Sequence, residues 1–170
     1  GKQGLSDVQY LAYWGYAVSI ATLLTALAGP VFGTVADTKG YKKPVFTIAL
    51  GIGAIASVAL GFAKYWLVFL IVFVIAKVGY SVTLVFYDSM LVDVTSEDRM
   101  DEVSSQGYAW GYIGSCIPFV ACLGVVLGAK PLGIGMQTAM IIAFIITALW
   151  WLLSSVPLLR SYRQKYFAEV

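Results

Sequence analysis

Two ionisable side chains, Lys77 and Asp88, lie in an otherwise apolar stretch between residues 65 and 88. On an α-helix their separation amounts to about three turns, which puts them within about 20° of one face but about 16 Å apart. Tyr80, Ser81 and Tyr87 extend a polar band on that side. An ionisable group inside a bilayer is costly unless it faces a cavity or a partner. We therefore expect these five residues to line a wetted pathway for a small solute or an ion.

Each of the two charges has a second interpretation. Lys77 is equally consistent with a structural ion pair to an acidic residue elsewhere in the molecule. Asp88 lies near the cytoplasmic end of its apolar segment, so a solvated gate residue explains it better than a binding group does. Proton coupling through Asp88 is a further option.

Other kinds of chemistry have little support. The absence of His excludes imidazole proton relays and His-rich metal sites. Cys116 and Cys122 would be separated by about 9 Å of helical rise, too far for a disulfide. We recognise no nucleophile and base pair, no phosphate-binding Gly loop and no basic stripe interleaved with aromatics. We predict no enzymatic activity, no cofactor, no metal site and no nucleic-acid partner.

The composition is that of a membrane protein. Of the 170 residues, 60% are hydrophobic and 12% are charged, which is too few charges for a water-soluble surface. Four runs lack Asp, Glu, Lys and Arg, and a fifth, residues 65–87, has Lys77 as its single charged residue. Each can cross a hydrocarbon layer of about 30 Å as a helix, and short links make neighbours antiparallel. We predict an all-α membrane protein, a single polytopic helical bundle over residues 1–170, with spans at about 10–36, 44–63, 65–88, 103–128 and 133–159.

Basic residues are divided unequally between the two sides of this bundle. One side has seven: Lys39, Lys42, Lys43, Arg99, Arg160, Arg163 and Lys165. The other side has three: Lys2, Lys64 and Lys130. The positive-inside rule puts the first side in the cytoplasm, with the N-terminus outside and the C-terminus cytoplasmic. A chain that starts outside and has an odd number of spans predicts that one upstream helix is missing.

The most specific motif is Gly33-Thr-Val-Ala-Asp37-Thr-Lys-Gly40-Tyr-Lys42-Lys43, in the first link between spans. Gly33 would permit close approach of a neighbouring helix, and Gly40 would supply a tight turn with positive φ. Asp37 can accept hydrogen bonds from a helix N-terminus, and the two lysines would hold the link at the cytoplasmic face. The pattern resembles the signature G-x-x-x-D-x-x-G-x-[RK]-[RK] between the second and third helices of the major facilitator superfamily. A generic helical hairpin with a basic loop is the alternative.

This resemblance implies a fold and an activity. The five runs would be helices two to six of the N-terminal half, which lacks its first helix here. Helices three and six, our residues 44–63 and 133–159, would lie outside and face lipid, and helix four would line the central cavity. The implied function is a secondary active transporter, a permease or effluxer, that moves a small solute by alternating access. Its partners would be the lipid bilayer, the solute and the remainder of the same transporter.

A narrower resemblance comes from the run Val85-Phe-Tyr-Asp88-Ser-Met-Leu-Val-Asp93, followed by Glu97-Asp-Arg99 and a Gly- and Tyr-rich helix. It is similar to the vacuole-effluxer branch of the superfamily, although this chain has Asp88 where that branch has Asn. The resemblance implies an amino acid or a similar small solute, and a bacterial inner membrane as the location. A sugar-type cation symporter of the same superfamily and a non-transporting membrane scaffold are the alternatives.

The family arrangement also implies a gate at the cytoplasmic face. Asp93 and Arg99 would contact Asp37 or Lys42 there when the cavity faces outward. The predicted gate motif therefore comprises Gly33, Asp37, Gly40, Lys42, Lys43, Asp93 and Arg99.

Overall fold

The computed structural model describes residues 6–166, so Lys2 of the charge count lies outside the described residues. Five long helices make up most of this part: α1 (Asp7–Asp37), α2 (Lys42–Phe62), α3 (Trp66–Val94), α4 (Met100–Leu127) and α5 (Met136–Ser161). A 3₁₀ turn at Glu97–Arg99 precedes α4. All five helices are long and apolar enough to cross a membrane, and residues 6–166 contain no β-strand. The predicted all-α fold class is confirmed.

Helix α3 extends beyond its predicted span. The span was expected to end near residue 88, but α3 continues to Val94, and the backbone N–H of Thr95 still bonds to Leu91 O. No Gly or Pro lies between residues 89 and 94 to stop the helix. Asp93, expected in the following link, is therefore held on a rigid helix.

The helices pack in the spatial order α1, α3, α2, α5, α4, which differs from their order in the sequence. Helix α3 packs between α1 and α2, α2 also packs against α5, and α4 packs mainly against α5. Helices α3 and α4 approach each other at only a few points. A groove therefore remains between them, and it bears on the functional site.

Helix α2 is the most enclosed of the five, although the resemblance implied a peripheral, lipid-facing helix. A Cβ atom added to Gly79 of α3 would lie 3.2 Å from the Cα of Gly53 in α2, so two glycines let these backbones approach closely. The opposite face of α2 remains exposed and apolar, with Ile48, Ile52 and Ile55. One face of α2 thus packs in the bundle, while the other is suited to lipid.

The best-packed region lies where α1 ends and α2 begins. Phe86 and Met90 of α3 are fully buried there, against Phe46 and Leu50 of α2 and Ala36 of α1. Tyr162, directly after α5, completes this cluster. The core therefore supports the end of the bundle that carries the predicted gate motif.

Candidate functional site

The carboxylate of Asp93 is the centre of a buried polar cluster at this end of the bundle. Asp93 is only 2% exposed. Its Oδ2 accepts hydrogen bonds from Lys42 Nζ at 2.9 Å and from the Tyr162 hydroxyl at 2.5 Å. Its Oδ1 accepts from the backbone N–H groups of Lys165 and Tyr166, both at 2.8 Å. Four donors on two separate segments therefore satisfy one buried charge, as burial requires.

Lys42 is the counter-charge in this cluster and is itself buried. Its ammonium group also donates to the backbone oxygen of Ser89 at 2.8 Å, one turn before Asp93 on α3. Burial, together with the hydrogen bond to the Asp93 carboxylate, raises the pKa of Tyr162 well above its usual range. Tyr162 therefore stays protonated and remains a donor to Asp93 at any physiological pH.

The link between α1 and α2 is held by the segment that follows α5. Gly40 has φ +81°, the left-handed conformation that glycine tolerates best, as the motif predicted. Its N–H donates to Gln164 Oε1 at 2.7 Å, and Gln164 Nε2 donates to the backbone oxygen of Thr38 at 3.2 Å. One side-chain amide thus bridges the two ends of the turn.

Two of the seven residues in the predicted gate motif meet directly, namely Lys42 and Asp93. Arg99 does not join them; its Nε lies 3.3 Å from Glu102 Oε2 in an exposed pair one turn along the chain. Asp37 and Lys43 are exposed, and neither forms a salt bridge within residues 6–166. The expected contact of Arg99 with Asp37 or Lys42 is absent from the described part.

Gly33 differs from its expected role. A Cβ atom added there would meet no other group within 4 Å among the described residues, so no neighbouring helix of this part approaches it closely. The close approach occurs at Gly53 and Gly79 instead, because α1 packs against α3 and scarcely touches α2.

The groove between α3 and α4 contains two adjoining cavities, of about 490 Å³ and about 800 Å³. Both are within the size range of small-molecule sites. Their lining is aromatic and hydroxylated, and five residues from α3, α4 and α5 line both: Tyr80, Gly111, Ser115, Trp151 and Ser154. The two cavities therefore form one continuous groove, which we call the α3–α4 groove.

Three of the five predicted pathway residues lie on this groove. Lys77 lines the larger cavity, Tyr87 the smaller one, and Tyr80 both, whereas Ser81 and Asp88 line neither. The reason is their direction around the helix axis. Viewed down that axis, the lining residues of α3 cover an arc of about 120° centred near Tyr80, and Lys77 lies at one edge of the arc. Ser81 and Asp88 fall beyond that edge. Of the two charged residues expected on one face of α3, Lys77 lines the groove and Asp88 does not.

Among residues 6–166, Lys77 is the only charged residue that lines either cavity. Its Nζ lies 5.5 Å from the ring centroid of Tyr80, within range of a cation–π contact. No carboxylate of residues 6–166 lies within salt-bridge distance of it. The structural ion pair considered for Lys77 thus has no acidic partner in the described part of the chain.

Several residues of the two sites were missed by reasoning from the sequence. Tyr162 bonds to Asp93, 69 positions earlier in the chain, and Gln164 bonds to Thr38, 126 positions earlier. The residues next to Tyr162 and Gln164 in the sequence give no signal of these contacts. Trp151 and Ser154 are unremarkable within α5, and they line the groove only because α5 packs beside α2. The described residues also contain no group of three His, Cys, Asp or Glu side chains that could hold a metal ion.

Comparison with known proteins gives four results. The sequence profile of the Major Facilitator Superfamily matches residues 8–168. The chain is 38% identical over 172 aligned positions to the uncharacterized MFS-type transporter YxiO of Bacillus subtilis (strain 168), an alignment that covers 99% of this chain and 40% of that protein. It is also 42% identical over 62 positions to the multidrug resistance protein MdtG of Proteus mirabilis (strain HI4320), covering 36% of this chain and 15% of that protein. No solved structure matches the chain.

Proposed function

The chain belongs to the major facilitator superfamily, and we propose that it is part of a secondary active transporter that moves a small solute by alternating access. The observation that carries this proposal is the α3–α4 groove, which combines a cation, aromatic rings and hydroxyl groups within a bundle of apolar helices. Solute sites of such transporters lie near the bilayer midplane between two halves that rock against each other.

We further propose that α1 to α5 are the second to sixth helices of this transporter. The chain spans 40% of the length of its Bacillus subtilis relative, which leaves room for a further helix and a second half. The exposed apolar side chains of α1 and α4, among them Leu23, Leu27, Trp110 and Phe119, support the same view. The partners of this part would then be the lipid bilayer and the rest of the same polypeptide.

The proposed location is a bacterial inner membrane, with the end that carries Lys42 and Asp93 in the cytoplasm. The excess of basic residues at that end supports this orientation. The buried pair, together with Tyr162 and Gln164, ties α2, α3 and the segment after α5 into one unit there. This unit is our candidate for the rigid base of the cytoplasmic gate, and the exposed residues Asp37, Lys43 and Arg99 are its candidate contacts to the other half.

The proposed substrate is an amino acid or a similar small solute, in keeping with the resemblance to the vacuole-effluxer branch around Asp88 and Arg99. The Proteus mirabilis relative is named for multidrug resistance. A sugar-type cation symporter and a non-transporting scaffold are the competing proposals. A hydroxyl-lined groove also suits a sugar, whereas a scaffold has no need of a cation in a cavity.

Transport by the full-length protein in liposomes tests the proposal directly. Uptake of radiolabelled amino acids and sugars would be compared with that by empty liposomes, with and without an imposed pH gradient. Saturable uptake of one class supports a transporter, and dependence on the gradient supports proton coupling, for which Asp88 is the candidate. No uptake or counterflow of any solute, from protein that stays folded and monodisperse, would favour the scaffold.

A further inference from the structure

The turn 38–41 between α1 and α2 has little support from the two helices that it joins, because these helices scarcely touch each other. Within the turn, the backbone N–H of Tyr41 donates to Thr38 O at 3.3 Å, and Tyr41 provides no side-chain cap for α2. One long hydrogen bond on an exposed surface contributes little to order. Lys42 anchors the start of α2 to Asp93, but the turn precedes that anchor. Its position therefore depends on a contact from elsewhere in the chain.

The side-chain amide of Gln164 supplies this contact at two points of the turn. Its Oε1 accepts from the Gly40 N–H at 2.7 Å, and its Nε2 donates to Thr38 O at 3.2 Å. Within residues 6–166, Gln164 is the one hydrogen-bond partner of the Gly40 N–H. An amide offers an acceptor and a donor side by side, so it satisfies both backbone groups in one of its two orientations. The turn is thus held by a residue 124 positions after Gly40.

Gln164 is itself held in place, because the segment around it is anchored on both sides. Residues 162–166, which we call the strap, leave α5 as non-helical backbone. The Tyr162 hydroxyl before Gln164 and the backbone N–H groups of Lys165 and Tyr166 after it all donate to Asp93. Asp93 lies on α3, so the strap fixes the position of Gln164 relative to the end of α3.

Two residues of the predicted gate motif lie on either side of the turn. Asp37 is the last residue of α1, and Lys43 lies in the first turn of α2. Both are exposed, and neither forms a salt bridge within residues 6–166. Since no ion pair in the described part holds these side chains, the backbone of the turn decides from where they can reach a partner.

We propose that Gln164 is a positioning residue of the cytoplasmic gate: its amide fixes the turn 38–41 against the end of α3, and this places Asp37 and Lys43 for their contacts to the other half of the transporter. The inference rests on the proposed transport function and adds the strap to the parts that set the access equilibrium. Loss of the amide frees the turn and spreads Asp37 over many positions, which weakens the closed cytoplasmic gate. The inward-open state then gains population.

The access equilibrium of the full-length protein tests this role. Gln164→Met keeps the length of the side chain and removes both polar groups. We expect it to raise the ratio of inward-open to outward-open protein by at least about threefold, the equivalent of one lost hydrogen bond. Labelling of single cysteines on the two sides of the membrane, in an otherwise cysteine-free background in liposomes, measures the ratio. Gln164→Glu keeps the acceptor for the Gly40 N–H and should shift the ratio less.

Two comparisons separate positioning from a structural role. Gln106→Met makes the same substitution at an exposed glutamine of α4, which bonds to Glu102, and it should leave the ratio unchanged. Asp37→Asn removes a group that Gln164 is proposed to place. In the double variant, Gln164→Met should therefore add much less to the shift than it does alone, because the carboxylate to be placed is gone. If Gln164→Met does not fold, Gln164→Glu, alone and combined with Asp37→Asn, decides the same questions.

The inference is overturned if Gln164→Met lowers thermal stability but leaves the ratio unchanged, since the strap is then structural only. Additive shifts of Gln164→Met and Asp37→Asn would also overturn it, because Gln164 would then act through another group. An unchanged ratio in Asp37→Asn alone would remove the gate at this end together with the inference, while uptake by the native protein would keep the transporter assignment. Failure of the native protein to transport any solute would instead remove the proposed function.

Discussion

The hydroxyl of Tyr162, directly after α5, donates a 2.5 Å hydrogen bond to Oδ2 of Asp93, near the end of α3. The same oxygen accepts from Lys42 at the start of α2, so three separate segments meet at one carboxylate. Because Asp93 and Lys42 are both buried, neither charge can turn to solvent if the other is removed.

Asp93→Asn should destabilise the protein strongly. The substitution leaves the buried Lys42 without a counter-charge, and breaking a buried pair in this way costs about 3–5 kcal/mol. Unfolding in detergent would be followed by circular dichroism during heating or denaturant titration. Lys43→Gln is the control, since Lys43 is exposed and forms no salt bridge in the described part. Equal stability of the two variants would contradict the prediction.

Tyr162→Phe should cost less, about 1.5–3 kcal/mol, because Asp93 keeps three of its four donors. The effect should depend on pH. The pKa of Tyr162 is raised in the folded state, so its stabilising contribution is complete below the unfolded value near 10 and declines above it. The stability difference between the native protein and Tyr162→Phe should therefore shrink as the pH rises above about 10. A constant difference across this range would argue against a buried, protonated tyrosine.

Asp37→Asn should leave the fold intact, because Asp37 is exposed and outside the buried cluster. As a proposed gate residue, however, it should shift the equilibrium between inward-open and outward-open states of the full-length protein. Labelling of single cysteines on the two sides of the membrane measures this shift. If both uptake and cysteine accessibility are unchanged, Asp37 has no gating role.

Gly79→Ala should separate α2 from α3. The added methyl group would lie 3.2 Å from Gly53 Cα and 3.3 Å from the backbone oxygen of Ala49, and backbone atoms cannot give way easily. Such overpacking costs about 1–3 kcal/mol. Gly51→Ala on α2 meets nothing within 4 Å and is the matched control; it should be neutral or slightly stabilising. Thermal unfolding of both variants tests the packing.

Tyr80→Leu should weaken solute binding by about tenfold, whereas Ser81→Ala should not change it. Tyr80 lines both cavities, where its ring can contact a solute, and Trp151 holds that ring edge-on with centroids 5.7 Å apart; an aromatic contact with the solute is worth about 0.5–1.5 kcal/mol. Ser81 lies outside the lining arc. Titration of the transported solute against both variants measures the two affinities. A larger loss of affinity for Ser81→Ala than for Tyr80→Leu would support the polar band inferred from the sequence.

The helices could be predicted from the sequence because their signals are local. Long uncharged runs indicate spans wherever they lie, and the glycine at position 40 indicates a turn through its own backbone freedom. Helix ends were less accurate at α3, where the hydrophobic run stops near residue 88 but the hydrogen-bonded helix continues to Val94. Hydropathy reports the extent of the apolar layer, and the backbone can remain helical beyond it.

The sites were only partly predictable, because they depend on how the helices rotate and pack. Lys77 could be singled out since an isolated charge in an apolar segment is costly in any arrangement. Ser81 and Asp88 could not be separated from Tyr80 and Tyr87 by spacing alone, because a wide polar band does not reveal which part faces a groove.

The sequence by itself determined that this chain forms five membrane-spanning helices, that one of them carries a lone lysine, and that a glycine turn joins the first two. Only the tertiary structure decided that Asp93 accepts hydrogen bonds from Lys42 and Tyr162, and that Lys77, Tyr80 and Trp151 line one cavity. The physical reason is range: hydropathy and backbone propensity are properties of one continuous segment of the chain, whereas these contacts depend on the packing of helices distant in the chain.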